Sequence, residues 1–379
     1  MPKAEKRTNR QNHSADAVTA APKTFRRRLH HRGLLAQVPI YLGKLLRGFV
    51  YRNDWKVLPM SAIIAGLVSM VVRGDCFLTM EGTMKGALAL SCVGIWNGCF
   101  NAIQVVCRER PIVKREHRSG MHVISYIAAH MIYQALLCLV QTVLTLYVCK
   151  AAGVHFPEKG LMTSWMLPEM GVTIFLITYA ADMLALLISC LVRSTTAAMT
   201  VMPFVLIFQL VFSGGFFTLP AWASSFSNVS ISSYGLKCIA AQADYNHLPM
   251  ATAWNMLNRM KNEEINLQIT EGQAADLAAK ITEELDPELG KTVKGLKALL
   301  PDPDKSYGYT TTIGQVVDIL GPERVKNAVQ QKAAAAGYVE DYEYSRGNVA
   351  VYWFMLALFS FVMAVGCVIV LSFIDKDKR

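Results

Sequence analysis

The residues best placed to do chemistry in this chain are carboxylates and amides set among apolar neighbours. Asp182 stands alone in an otherwise uncharged run over 170–192. A carboxylate in hydrocarbon is costly to keep ionised, so it must be paired, protonated or hydrated. It reads as a proton-coupling group or as a structural hydrogen bond to a neighbouring helix; the apolar runs hold no second acid for a relay, which favours the latter. Asn97, Asn101 and Gln104 fall at i, i+4 and i+7, one face of a helix. Amides in lipid must find partners, so this stripe faces the bundle or a partner chain, as cavity lining or as interhelical glue. Glu109, Arg110, Arg115 and Glu116 crowd the short segment between Cys107 and Ser119. Alternating charges on a short helix at a bilayer face make an ion-paired knob that a partner can push or pull. An ordinary cationic loop accounts for the arginines of that segment but not for the glutamates.

Enzyme chemistry finds no support in the residues. No G-x-x-x-x-G-K-[ST] occurs, so the backbone cradle and the lysine that hold nucleotide phosphates are missing from this stretch. No Ser/His/Asp order or pair of carboxylates appears, and no catalytic residue is expected. His122 and His130 lie eight apart without a carboxylate or Cys beside them, which favours packing over a metal site. The nine cysteines include no C-x-x-C pair, and six of them (Cys92, Cys99, Cys107, Cys138, Cys190 and Cys367) sit in apolar runs, where Cys behaves as a small hydrophobe. No metal and no cofactor are expected in this chain itself.

The elements that must position these residues are membrane helices. Hydrophobic residues make up 53% of the 379 and charged residues only 17%, too apolar for an ordinary soluble domain. A span needs about 20 predominantly apolar residues, and runs of that kind cover 57–72, 86–107, 119–149, 170–192, 194–236 and 347–374. The first is short, and the fifth is long enough for a helix and a re-entrant segment. The first 56 residues hold 13 Lys/Arg and no apolar core, which predicts a cytoplasmic start without a cleavable signal peptide. Arg108, Arg110, Lys114, Arg115 and Arg118 keep the loop between the second and third runs on the same side. Six crossings then return the C-terminus to the cytoplasm.

Charge supports that layout. Residues 223–347 contain 12 Lys/Arg against 16 Asp/Glu, net −4, while the rest of the chain carries the positive excess. Such an excess beside membrane ends sets orientation and meets anionic membrane lipid. Around Arg26-Arg27-Arg28 nothing aromatic interleaves the basic residues, so nucleic acid is not an expected partner. The predicted organisation is a disordered basic arm over 1–24, an amphipathic interfacial helix over 25–54, and spans one to five with the re-entrant segment over 55–236. A small helical extracytoplasmic domain over 237–346 follows, then the sixth span and cytoplasmic tail over 347–379. Within the outer domain, Thr270-Glu271-Gly272-Gln273 has the spacing of a capping box that opens a helix.

Two stretches carry a family resemblance. Glu109-Arg110, Arg115-Glu116 and Ser119-Gly120 follow one span, and Phe212-Ser213-Gly214, Phe216, Trp222 and Tyr234-Gly235 follow a later one. In order and separation they resemble the transmembrane half of the ABC transporter G subfamily, the white and multidrug-exporter type within the type-2 ABC permeases. The resemblance runs over about 25–246 and the last helix. Ser213-Gly214-Gly215 also resembles the signature of an ABC ATPase, but Val211, Phe212, Phe216 and Phe217 embed it in a membrane run, where it reads as a helix-end weak point or packing site.

The resemblance implies an all-α membrane permease without its own ATPase domain. Two such chains, identical or different, would work with a separate ABC ATPase subunit that carries ATP and Mg. Glu109, Arg110, Arg115 and Glu116 would couple to the ATPase, Asn97, Asn101, Ile207 and Phe208 would line a substrate cavity, and Phe216 would be the outer gate. Export of a lipid-like, amphipathic or peptide substrate across a bacterial plasma membrane is the expected function. Family members often carry cysteine pairs and a shorter outer domain, so the role of 237–346 is not implied. The alternatives are a membrane-anchored receptor or structural protein acting through that domain, and an ion-coupled secondary transporter using Asp182, which predicts inverted repeats that the sequence lacks.

Overall fold

The computed structural model describes residues 33–52, 54–216, 220–296 and 306–373. The expected arm over 1–24, the first part of the interfacial segment and the tail beyond 373 lie outside the described residues. The described chain is nearly all helical, as a bilayer requires of a spanning backbone. Helix α1 (Leu34–Tyr51) buries none of its residues fully. Its aromatic side lies on the bundle, with Tyr41 edge-on to Tyr126 at 5.9 Å and Phe49 against Tyr133 at 6.5 Å. Leu35, Ile40 and Val50 remain exposed, the arrangement of a helix lying along a surface.

Five helices are long and apolar enough to cross a membrane: Asp54–Val72, Met80–Arg118, Val123–Ala151, Met166–Leu191 and Arg346–Ser372. The first consists of a 3-10 turn leading into α2 (Val57–Val72). The second divides at Ile103 and Gln104 into α3 (Met80–Ala102) and the charged elbow α4 (Val105–Arg118). Then come α5 (Val123–Ala151), α6 (Met166–Leu191) and the shorter α7 (Thr195–Val211). At 17 residues α7 is about 25 Å long, less than the ~30 Å hydrocarbon core of a bilayer. Gly214, at φ +78°, turns the chain after it, and α8 (Ala221–Ser227) and α9 (Ile231–Gln242) lead back into the bundle.

The bundle is built around α6. On α3, Gly94 and Gly98 form a G-x-x-x-G step; a Cβ on Gly98 would lie 2.2 Å from the Thr178 carbonyl oxygen and 2.7 Å from the Asp182 amide. Only a residue without a side chain allows backbones that close, and dispersion across such contacts substitutes for the hydrophobic drive that lipid does not provide.

The segment 237–346 departs from the helical expectation. It contains α10 (Ala251–Arg259), α11 (Glu271–Leu285), α12 (Pro287–Leu296), α13 (Ile313–Leu320) and α14 (Pro322–Ala336), but also strands β1 (Glu264–Thr270) and β2 (Ser306–Thr312). The strands pair antiparallel with Leu267 opposite Tyr309. Glu-Ile-Asn-Leu-Gln-Ile-Thr alternates polar and apolar residues with period two, a strand pattern that a helix-period search passes over. The Thr270 capping box forms as expected, and Thr312 with Gln315 forms a second one. Helix α15 (Arg346–Ser372) closes the described chain.

This segment is tied together, and to α3, by hydrogen bonds. Within it, Asn246 donates its side-chain amide N–H to the Val339 carbonyl at 3.0 Å and accepts from the Val339 N–H at 3.1 Å. The Glu81 carboxylate accepts from the N–H groups of Ala251 and Thr252 at 3.1 and 2.7 Å, capping α10 from another element. Met80, Ala240, Tyr245, Ala334 and Tyr342 bury one another beneath these bonds.

Candidate coupling site

The N-terminal half of the elbow helix α4 is fastened to α6. A helix N-terminus leaves its first N–H groups without intrahelical acceptors, and here the Ser189 hydroxyl on α6 accepts from Val106 and Cys107 at 3.0 and 3.1 Å. The exchange is reciprocal. Arg110 donates to the carbonyls of Cys190 and Val192 at 2.9 and 3.0 Å, satisfying the C-terminal end of α6 with a cation where the helix dipole favours one. Each helix thus completes the other's end.

The glutamates do not pair along α4 as the idea of a self-contained knob expects. Glu109 and Glu116 are seven residues apart, hence on one face, and that face meets α1. Glu109, only 5% exposed, accepts from Arg52, and Glu116 pairs with Lys44 at 2.9 Å. Arg108 reaches Asp54 at 3.9 Å. The hydrogen bond with Glu109 holds the Arg52 guanidinium above its ordinary pKa. Burial, and after it the Glu116 charge, raises the Tyr41 phenol. Neutral bonds complete the seam: Gln37 donates to the Gly120 carbonyl at 3.3 Å and accepts from the His122 N–H at 3.0 Å, and Ser125 donates to the Leu34 carbonyl at 2.6 Å. Arg115 is exposed.

Arg52, Lys44, Gln37 and Ser189 were not foreseen from sequence. The available signal was two cations eight apart in an amphipathic helix facing two acids seven apart in another, and nothing local names them as partners.

The four expected cavity residues are not brought around one space within this chain. Asn97 is buried beside a cavity of about 230 Å³ shared with Lys56, Met60, Ser61 and Phe100. Phe208 lines a different one of about 290 Å³ with Leu184, Phe204, Gln209 and Phe359. Ile207 is 58% exposed. Asn101 exchanges two hydrogen bonds with the Gln141 amide on α5, at 2.8 and 3.1 Å, the geometry of interhelical glue. Phe216 stands 63% exposed just beyond the Gly214 turn.

Asp182 is fully buried where α3, α5 and α6 meet. Its Oδ2 accepts from the Cys138 thiol at 3.8 Å, while Oδ1 has no partner. His130 packs edge-on to Tyr126 at 4.5 Å, and His122 sits exposed at the start of α5. No group of three or more His, Cys, Asp or Glu able to hold a metal occurs among the described residues.

A bundle of apolar helices, entered by a surface helix and carrying a charged elbow fastened to that surface helix and to α6, defines a polytopic membrane protein. The chain belongs to the ABC-2 type transporter family, whose model matches residues 45–242, from within α1 to the end of α9. It is therefore a permease component of an ABC transporter, as the motif resemblance implies. It is also similar to an ABC transporter ATP-binding/permease protein of Mycobacterium tuberculosis (strain ATCC 25618 / H37Rv), at 28% identity over 195 residues. That stretch is 49% of this chain and 22% of the relative, so the match covers under a quarter of the relative's length.

Proposed function

We propose that this chain is the permease of an exporter for a lipid-like, amphipathic or peptide substrate, driven by an ABC ATPase whose nucleotide-binding part lies outside these 379 residues. The observation that carries the reading is the double fastening of α4. A helix tied by ion pairs to α1 and by exchanged end-caps to α6 moves as one piece with both, so force applied to the elbow reaches the centre of the bundle. Glu109 and Glu116 transmit to α1, Arg110 transmits to α6, and exposed Arg115 meets the ATPase. ATP and Mg belong to that partner. The mycobacterial relative is an ATP-binding/permease protein, and that combination supports the pairing of these two functions.

In this reading α7 supplies the sixth crossing, the elbow and both termini face the cytoplasm, and 237–346 lies outside a bacterial plasma membrane. A second permease chain completes the pathway, bringing Asn97, Asn101, Ile207 and Phe208 toward a shared cavity below Phe216. Lipid surrounds the complex. The test is reconstitution with the ATPase in liposomes and a screen for compounds that stimulate hydrolysis. Glu109→Ala and Arg115→Ala should each lower that stimulation about tenfold, within the ordinary range of coupling free energies, while basal hydrolysis stays unchanged. Full stimulation in both variants would sink the coupling assignment.

A further inference from the structure

One face of α5 is polar along most of its length. Tyr126, His130, Gln134, Cys138, Gln141 and Thr145 recur at steps of three and four, the period of a single helix face, and all six are buried. The middle of this face is bonded to neighbouring helices, Cys138 to Asp182 on α6 and Gln141 to Asn101 on α3. The part nearest the elbow is not. The Tyr126 hydroxyl, both ring nitrogens of His130 and both amide atoms of Gln134 have no hydrogen-bond partner among the described residues. None of these three residues is more than 2% exposed. A buried polar atom left alone forfeits its hydration with no return, so five of them on one face of a membrane span require a partner.

The chemistry of the five atoms narrows what that partner is. Side chains one turn apart on a helix stand about 5–6 Å from each other at Cβ. Tyr126 and His130 meet edge-on at 4.5 Å between ring centroids, a contact of ring surfaces that leaves the hydroxyl and the ring nitrogens unused. A hydroxyl, an imidazole and a carboxamide together present both donors and acceptors. A cation would be repelled by the N–H groups, and an anion by the acceptors beside them. Water serves both kinds, and at about three hydrogen bonds per buried molecule roughly two molecules complete the five atoms.

A source of water lies next to this face. A cavity of about 40 Å³ between α1, α4 and α5 is lined by Lys44, Arg52, Asp54, Arg108, Glu109 and Tyr133. Its walls are mostly charged, and its volume takes about three waters. Tyr133 stands between His130 and Gln134 in sequence, so the cavity wall and the orphaned atoms share one stretch of α5.

We propose that Tyr126, His130 and Gln134 hold a cluster of buried water molecules inside the bundle, filled from the ion-pair cavity beside the elbow. The cluster needs no nucleotide, no ATPase and no substrate, so it stands apart from the transport reading.

The full chain in lipid nanodiscs, without an ATPase, would be exposed to millisecond X-ray pulses and its oxidised side chains mapped by mass spectrometry. The pulses split bound water into hydroxyl radicals, which oxidise the side chains touching it. Tyr126 should be oxidised at a rate within about threefold of the exposed Tyr338, despite its burial. Met170, intrinsically more reactive but buried in the apolar core, should react at least about tenfold more slowly than Tyr126. His130→Phe combined with Gln134→Leu replaces the water-holding atoms with apolar groups of similar shape, an exchange close to neutral for folding. In this variant Tyr126 oxidation should fall about tenfold, with the elution volume of wild type and no lower melting temperature. Oxidation of wild-type Tyr126 no faster than that of Met170 overturns the proposal, since the side chains then satisfy one another directly. An undiminished rate in the folded double variant overturns it as well, because the radicals then come from bulk solvent. If the double variant fails to fold, His130→Phe alone carries the comparison, with about a threefold fall expected.

Discussion

Helices α6 and α7 follow each other with only Val192, Arg193 and Ser194 between them, and both read as apolar runs, yet the fold treats them in opposite ways. Helix α6 buries 15 of its 26 residues, including Glu169, Thr173, Asp182 and Ser189. Helix α7 buries only Ala198, Met202 and Gln209. The difference teaches that hydropathy reports which medium a helix tolerates, not what it touches. Lipid tails are as apolar as Leu, so nothing hydrophobic draws two helices together inside a membrane. What binds α6 is small residues and polar groups. Gly98 admits its backbone and Gly94 its Ile177 and Thr178 side chains, Thr173 accepts from the Trp353 indole at 2.8 Å and donates to Gln242 at 3.0 Å, and Ser189 caps the elbow. Helix α7 has Pro203 in its interior and large exposed residues such as Phe204 and Ile207.

The contrast can be broken most forcefully at Gly98. Gly98→Leu drives a side chain into the α6 backbone, so it should cost more than the ~1–3 kcal/mol of ordinary overpacking and prevent folding. Size-exclusion of the detergent-solubilised variant checks this, and a monodisperse, wild-type-like peak would mean that α3 and α6 are not in such close contact. Next comes Arg52→Ala, which leaves the nearly buried Glu109 carboxylate without its cation. Because Arg52 is itself half-exposed, the cost should fall below that of a fully buried pair, at about 1–3 kcal/mol. Thermal melts of the single variant and of Arg52→Ala with Glu109→Gln measure it, and the second change should restore part of the loss.

Ser189→Ala removes a cap that serves another helix, and about 1 kcal/mol of destabilisation is expected. Asp182→Asn keeps an acceptor for Cys138 at the three-helix junction. ATP-driven transport by this variant should therefore match wild type, whereas loss of transport with intact folding would restore proton coupling. The smallest effect belongs to α7: Phe204→Leu should shift stability by under ~0.5 kcal/mol. A shift several times larger in the isolated chain would erase the distinction between the two helices.

Much of the membrane architecture was legible because the physics behind it is local. A backbone in hydrocarbon must bond to itself, so an uncharged run of sufficient length becomes a helix whatever its neighbours are. The Thr270 cap was legible for the same reason, its donor and acceptor lying three residues apart. The ribbon of β1 and β2 was harder, since its alternation is short and its partner strand lies across two intervening helices. The charges at 108–120 could be recognised as a cluster, but their partners could not.

Sequence alone determined that this chain lives in a membrane, where its apolar helices run, and that its second and third runs are joined by a charged elbow. Tertiary structure decided what the elbow holds: Glu109 on Arg52, Glu116 on Lys44, and Arg110 and Ser189 exchanging helix ends between α4 and α6. The physical reason is one of range. Hydropathy and capping act between residues a few positions apart, whereas an ion pair or a shared cap across 57 to 83 positions exists only after the helices have packed.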